Sequence, residues 1–180
     1  LLAGAMTASM LTACGAQKTT EEEAPAETEE TDEGETAEAE NTSDAEYPMT
    51  FENYGRDVTV TQKPQKVLTL GPNCTELFAA LGLGDYVIGR SLINHSRGPL
   101  PEYADVVDNI PELNYSSATR EAILTSGADF IYALDWEISD EGCNIDEVED
   151  YGMTVYVNSA STLDEQYQEI MDIGKIFGIE

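Results

Sequence analysis

Apolar and polar positions repeat with a changing period from residue 47 onward, and the period predicts each element. From Met49 to Val60 apolar residues alternate with polar ones on either side of Tyr54-Gly55, which predicts a short antiparallel hairpin. Lys66-Val-Leu-Thr-Leu-Gly71 is a continuous apolar run of strand length. A helix follows from Pro72 to Leu81; Asn73 and Glu76, three residues apart, predict a capping box, and Gly82 and Gly84 close the helix. Tyr86–Arg90 reads as a strand. Residues 91–118 are rich in Pro, Asn, Ser and Gly and predict a long irregular loop, a length that in a compact domain is either functional or conceals an element. Then come a helix at Thr119–Ser126, a strand at Asp129–Leu134, a helix opened by the spacing Asn144/Glu147 and ending at Tyr151, and a strand at Met153–Val157. Thr162 and Glu165 predict a capping box for the last helix, whose apolar face reads as Leu163, Tyr167, Ile170, Met171 and Phe177.

Strands that alternate with helices predict an α/β domain: a mostly parallel sheet with helices on both faces, preceded by a β-hairpin. Ligands of such sheets sit beyond the carboxyl ends of the strands. Those ends are Gly71–Cys74, Ser91–Arg97, Asp135–Glu137 and Asn158–Ser161.

The preceding segment has a different character. Leu1 to Leu11 is largely apolar and runs into Leu11-Thr12-Ala13-Cys14, which resembles the bacterial lipobox. That resemblance implies export and a diacylglyceryl anchor on Cys14, with residues 1–13 a signal peptide clipped at its start. Residues 15–46 hold 13 acids and a single cation, Lys18, and no aromatic or large aliphatic residue. They predict a disordered, self-repelling tether between lipid and domain. Residues 47–180 carry 23 acids against 7 Lys and Arg. A surface so acidic excludes nucleic acid as a partner, because phosphate would be repelled. No apolar run after Cys14 is long enough to span a bilayer. Cys74 and Cys143 lie 69 residues apart, which is no metal-site spacing, and read as two unpaired thiols, a bridge between them being the lesser alternative.

From Met49 to Glu180 the chain resembles the N-terminal lobe of the bacterial ABC-transporter solute-binding proteins for iron–siderophores, haem and cobalamin. The resemblance rests on Arg56-Asp-Val-Thr-Val60 followed by Lys63-Pro-Gln-Lys-Val-Leu-Thr-Leu70, on Pro72-Asn-Cys-Thr-Glu-Leu-Phe-Ala-Ala-Leu-Gly82, on Asp85-Tyr-Val-Ile-Gly89, on Thr119-Arg-Glu-Ala-Ile-Leu-Thr-Ser-Gly-Ala-Asp129 and on Tyr151-Gly-Met-Thr-Val-Tyr-Val157, in that order. It implies a two-lobed receptor with its ligand between the lobes, of which residues 47–180 are one lobe and a C-terminal lobe is missing. It also implies permease subunits as partners, a metal chelate as ligand, no cofactor and no catalysis, on the extracytoplasmic face of a cell membrane.

The candidate ligand-binding residues are those at the strand ends. Pro72 and Asn73 follow the first strand of the sheet. Arg90 and Arg97 suit carboxylate or catecholate groups of a ferric chelate, or else offset nearby acids. His95, the single histidine, is either a solvated loop residue or a partner for haem iron or an anion. Trp136, the single tryptophan, and Tyr115 would stack on a flat ligand or lie under neighbouring loops. Glu121 matches the acid by which the resembled receptors dock on permease arginines, although a carboxylate there also suits the helix dipole. Glu76 reads as structural. The rival reading is an extracytoplasmic flavodoxin-like enzyme or a nucleotide- or flavin-binding domain. It would need a phosphate-cradling glycine loop after the first strand of the sheet, where Gly71-Pro-Asn-Cys-Thr75 has one glycine and a proline. One histidine and no Ser/His/Asp arrangement also weigh against hydrolysis.

Overall fold

The computed structural model describes residues 46–95, 97–139 and 143–179; Cys14, the leader and the tether lie outside them. The hairpin forms from β1 (Met49–Asn53) and β2 (Arg56–Val60). Four parallel strands follow: β3 (Val67–Leu70), β4 (Val87–Ser91), β5 (Phe130–Leu134) and β6 (Thr154–Asn158), in the spatial order β4-β3-β5-β6. Between them lie α1 (Pro72–Ala80), α2 (Ala104–Asn109), α3 (Arg120–Thr125), α4 (Ile145–Asp150) and α5 (Leu163–Phe177).

Side chains on alternate sides of each strand fill two cores. Val67, Phe130, Tyr132 and Tyr156 pack on Phe78 of α1 and on Ile173, Ile176 and Phe177 of α5. Leu68, Leu70, Ile131, Val155 and Val157 pack on Ile123 of α3 and Val148 of α4. Helices therefore cover both faces, as the alternation predicted. Burial on both sides is why β3 reads as an unbroken apolar run. Phe177 is the hub of the first core, its ring 5.4 Å from Phe78, 5.2 Å from Tyr86 and 5.9 Å from Phe130. Cys74 and Cys143 are free thiols in different cores.

β6 is an edge strand, and the hairpin covers its edge with side chains. The Asn53 amide donates to the Val157 carbonyl (2.9 Å) and accepts from the Val157 N–H (2.7 Å). Arg56 donates to the Val155 carbonyl and pairs with Glu149 of α4. A primary amide presents one donor and one acceptor side by side, so Asn53 replaces one rung of an absent neighbouring strand. At the start of the domain the Tyr47 hydroxyl donates to the Ile176 carbonyl near the end of α5.

Four expectations need correction. Residues 91–118 are not all loop: α2 lies within them, as does a single helical turn at Ile93–His95. The Asn73/Glu76 pair caps nothing. Gly71 occupies the N-cap, Pro72 opens α1, and Asn73 and Glu76 are helix residues whose side chains bond elsewhere. Asn144 does cap α4, through Asp146 N–H, but Glu147 pairs with Arg120 instead of closing a box. The face of α5 is rotated. Leu163, Tyr167 and Met171 are exposed, whereas Glu169 and Asp172 are buried beside Ile173, Ile176 and Phe177. The Thr162–Glu165 capping box is formed.

Candidate functional site

Parallel strands bring their carboxyl ends to one end of the sheet, and here side chains tie those ends together. At the tip of β3 the chain turns directly into α1. Gly71 has φ 141°, and a Cβ there would lie 2.7 Å from Leu134 Cδ1, so both the angle and the space demand glycine. Thr75 Oγ1 donates to the Gly71 carbonyl (3.0 Å) and is 2.9 Å from the Thr69 hydroxyl, which fastens the first turn of α1 to β3.

Asn73 Nδ2 donates to Asn158 Oδ1 at the tip of β6 (2.6 Å). Asn158 Nδ2 in turn donates to Tyr132 Oη (2.8 Å) and to Glu169 Oε2 (2.6 Å). The other Glu169 oxygen accepts the main-chain N–H groups of Ser159 (2.9 Å) and Ala160 (2.8 Å). The Tyr132 hydroxyl also donates to Glu169 (3.1 Å). A buried carboxylate is stable only when donors surround it, and α5 turns Glu169 inward because these donors are there. Burial, with the nearby Cys74 and Glu169, pushes the Tyr132 hydroxyl far above the usual tyrosine range. One turn along, Asp172 accepts from the Tyr156 hydroxyl (2.7 Å) and from Gln168 (2.7 Å).

A second network joins β4 and β5. Glu137, buried beyond β5, accepts from Ser91 Oγ at the tip of β4 (3.2 Å) and from Ala118 N–H (3.0 Å). Residues 115–116 run beside the chain leaving β4: Leu92 N–H donates to the Ser116 carbonyl and Asn94 N–H to that of Tyr115, each at 3.0 Å. Glu137 thus fixes the position of its neighbour Trp136, and the same network holds the segment carrying Tyr115. Both rings stand out, Trp136 51% exposed and Tyr115 63%.

The structure sorts the residues proposed from sequence. Trp136 follows β5, and Tyr115 lies on the segment beside the chain leaving β4. Asn73 follows β3 and reaches across to Asn158 at the tip of β6, with Pro72 half-buried beside it. Arg90 is turned back: its Nε donates to the Ile110 carbonyl (3.3 Å), and its side chain borders a small cleft with Pro72, Glu76 and Pro99. Arg97 is exposed. His95 closes the helical turn after β4, and its side chain lies outside the described residues. Glu121 is exposed in the first turn of α3, behind the N-cap Thr119. Glu137 and Asn158 fall in the strand-end stretches read from the sequence but were not singled out there, and Glu169 was missed. Glu169 had a signal, since it precedes Ile173 and Ile176 at helical spacing; Glu137 had none. Among the described residues no His, Cys, Asp and Glu side chains cluster to hold a metal, and no helix is long and apolar enough to cross a membrane.

Comparison with known proteins locates this arrangement. No family model matches the chain. An uncharacterized ABC transporter substrate-binding lipoprotein of Bacillus subtilis, YvrC, is 30% identical over 136 residues, covering 74% of this chain and 41% of that protein. The homologues of this chain are ABC-transporter substrate-binding proteins. A vitamin B12-binding protein of Vibrio cholerae is 30% identical over 105 residues, 56% of this chain and 34% of the relative. A periplasmic binding protein from Veillonella parvula superposes with a TM-score of 0.62 at 26% identity, covering 73% of this chain and 46% of the other. The parallel sheet with its preceding hairpin thus matches the fold of nearly half of that periplasmic binding protein. All three are binding proteins, and none of them is named for a reaction. The chain spans about two fifths of the length of YvrC.

Proposed function

We propose that the chain is part of the extracytoplasmic substrate-binding component of an ABC importer, anchored through Cys14. It captures a flat, bulky metal chelate of the cobalamin, haem or iron–siderophore kind and delivers it to permease subunits. Residues 47–180 act as one lobe, whose strand tips form one wall of the ligand cleft. The observation that carries this reading is the pair of exposed rings, Trp136 and Tyr115, on a rim at the carboxyl ends of parallel strands. Aromatic faces stack on flat ligands, and binding clefts at this end are general to open α/β sheets. With Arg90 turned toward Ile110, Arg97 is the remaining cation of the two proposed, so stacking outweighs charge in selecting the ligand. Glu121, exposed in the first turn of α3, serves permease docking. The similarity to a substrate-binding lipoprotein supports the anchor on Cys14.

Trp136 is the sole tryptophan, so its fluorescence reports this rim directly. Titration with cyanocobalamin, haemin and a ferric hydroxamate should give saturable quenching with at least one of them, and Trp136→Phe should abolish the signal. A response to flavin mononucleotide alone would overturn the receptor reading in favour of the flavodoxin-like rival.

A further inference from the structure

The hairpin has an open edge. β1 pairs with β2 and with no other strand. Its turn, Tyr54-Gly55, has φ 55° and 70°, the two-residue type in which the flanking pair, Asn53 and Arg56, exchanges ladder bonds. Bonded and non-bonded pairs alternate from there. Thr50–Thr59 and Glu52–Asp57 are therefore non-bonded pairs, and the main-chain N–H and C=O groups of Thr50 and Glu52 point away from β2. The 3.1 Å contact between the Thr50 and Thr59 hydroxyls fits the closer side chains of such a pair. Among the described residues no hydrogen-bond partner meets these main-chain groups.

This edge borders a groove of about 700 Å³, floored by Tyr156 and walled on the far side by α5. Glu52 and Glu165 stand exposed along it, the buried and hydrogen-bonded Glu169 and Asp172 lie behind them, and one cation, Lys175, opposes these acids. β1 is five residues long, about 17 Å of strand edge. We propose that this edge takes up an extended, basic segment of a partner protein as a third strand of the hairpin. Main-chain bonds to Thr50 and Glu52 would hold such a segment, and the carboxylates would select its charge. The same charge argues against occupation by residues 15–46, which carry 13 acids and one lysine, and by a second copy of these 180 residues, whose net charge is −28.

The test uses the full chain and a short, end-capped peptide alternating lysine and valine. Labelled peptide should bind saturably, with amide resonance shifts concentrated at Thr50 and Glu52. Thr50→Pro removes an outward N–H without touching the β1–β2 ladder and should abolish binding. Glu52→Lys should weaken it about tenfold. The same peptide N-methylated at alternate amides, and its glutamate–valine counterpart, should not bind. Equal binding of the N-methylated peptide would reduce the effect to unspecific charge attraction and overturn the proposal. So would tight binding of the glutamate peptide, a concentration-dependent dimer closing the groove in sedimentation, or no binding of the lysine peptide at low ionic strength. Folding of both variants is checked by circular dichroism. None of these readouts involves Trp136 or a chelate, so the result stands apart from the receptor reading.

Discussion

Replacing Asn53 with alanine tests how the hairpin is joined to the sheet. The side chain is 5% exposed and satisfies both main-chain groups of Val157. Alanine removes two hydrogen bonds of about 1 kcal/mol net each and leaves a buried N–H and C=O unpaired, at about 1–3 kcal/mol per group if water stays out. Water reaching the edge would return part of this, so a loss of about 2–4 kcal/mol is expected. That is a large share of the roughly 5–15 kcal/mol that holds an ordinary domain together. In urea unfolding followed by circular dichroism, with a slope of about 1–3 kcal/mol per molar, the midpoint should fall by about 1–2 M at unchanged slope. Asn53→Asp keeps the acceptor but sets a carboxylate against the Val157 carbonyl, and should be at least as damaging. A midpoint shift below about 0.3 M for Asn53→Ala would show that the Val157 groups find water without penalty, and the edge-capping argument would fail.

Three further outcomes follow from the same geometry. Gly71→Ala must place a Cβ 2.7 Å from Leu134 at φ 141°; it should destabilise the domain by about 2 kcal/mol or more in the same urea assay, and a neutral result would refute the close approach. Burial, chiefly, raises the Tyr132 and Tyr156 hydroxyls above the ordinary tyrosine value of 10.0, so the stability these two contribute is whole below that pH and drains away as alkali climbs past it. Ultraviolet titration should leave two tyrosines un-ionised until alkaline unfolding, and smooth ionisation of all nine near the ordinary value would contradict this. Main-chain and hydroxyl bonds from Ser161, and then Thr162, hold the Glu165 carboxyl below the usual glutamate range; the start of α5 is therefore secure above that range and loosens as the pH falls through the lowered value. The Ser161 and Thr162 amide resonances should titrate below the exposed glutamates, and a midpoint at the ordinary value would count against the box.

The strands were legible because their environment is uniform: β3 and β5 are buried on both sides and read as apolar runs, while β1 and β2 alternate. The order of elements, and with it the end of the sheet that carries the rim, followed from that. Three local features were hidden. α2 is six residues long with one buried residue, Val107, too short for a period to show. The Asn73/Glu76 spacing imitates a cap, but Gly71 at φ 141° starts the helix two residues earlier and places both side chains beyond reach of the free N–H groups. The face of α5 was misread because its inward stripe contains Glu169 and Asp172. Their partners, Tyr132, Tyr156 and Asn158, lie on other elements, so no local pattern announces that a carboxylate will be buried there. Trp136, Tyr115 and Asn73 were proposed from their positions after strands, while the burial of Glu137 depends on contacts with Ser91 and Ala118 that only the folded chain reveals.

The two inward-facing glutamates act as rivets. Glu137 clamps the ends of β4 and β5 to the segment bearing Tyr115, and Glu169 clamps the turn after β6 to Asn158 and so to α1. A surface fastened in this way has surrendered its freedom during folding, and an incoming molecule need not pay that entropy again. On the proposed function, ligand-free and ligand-bound forms of residues 47–180 should superpose at the strand tips.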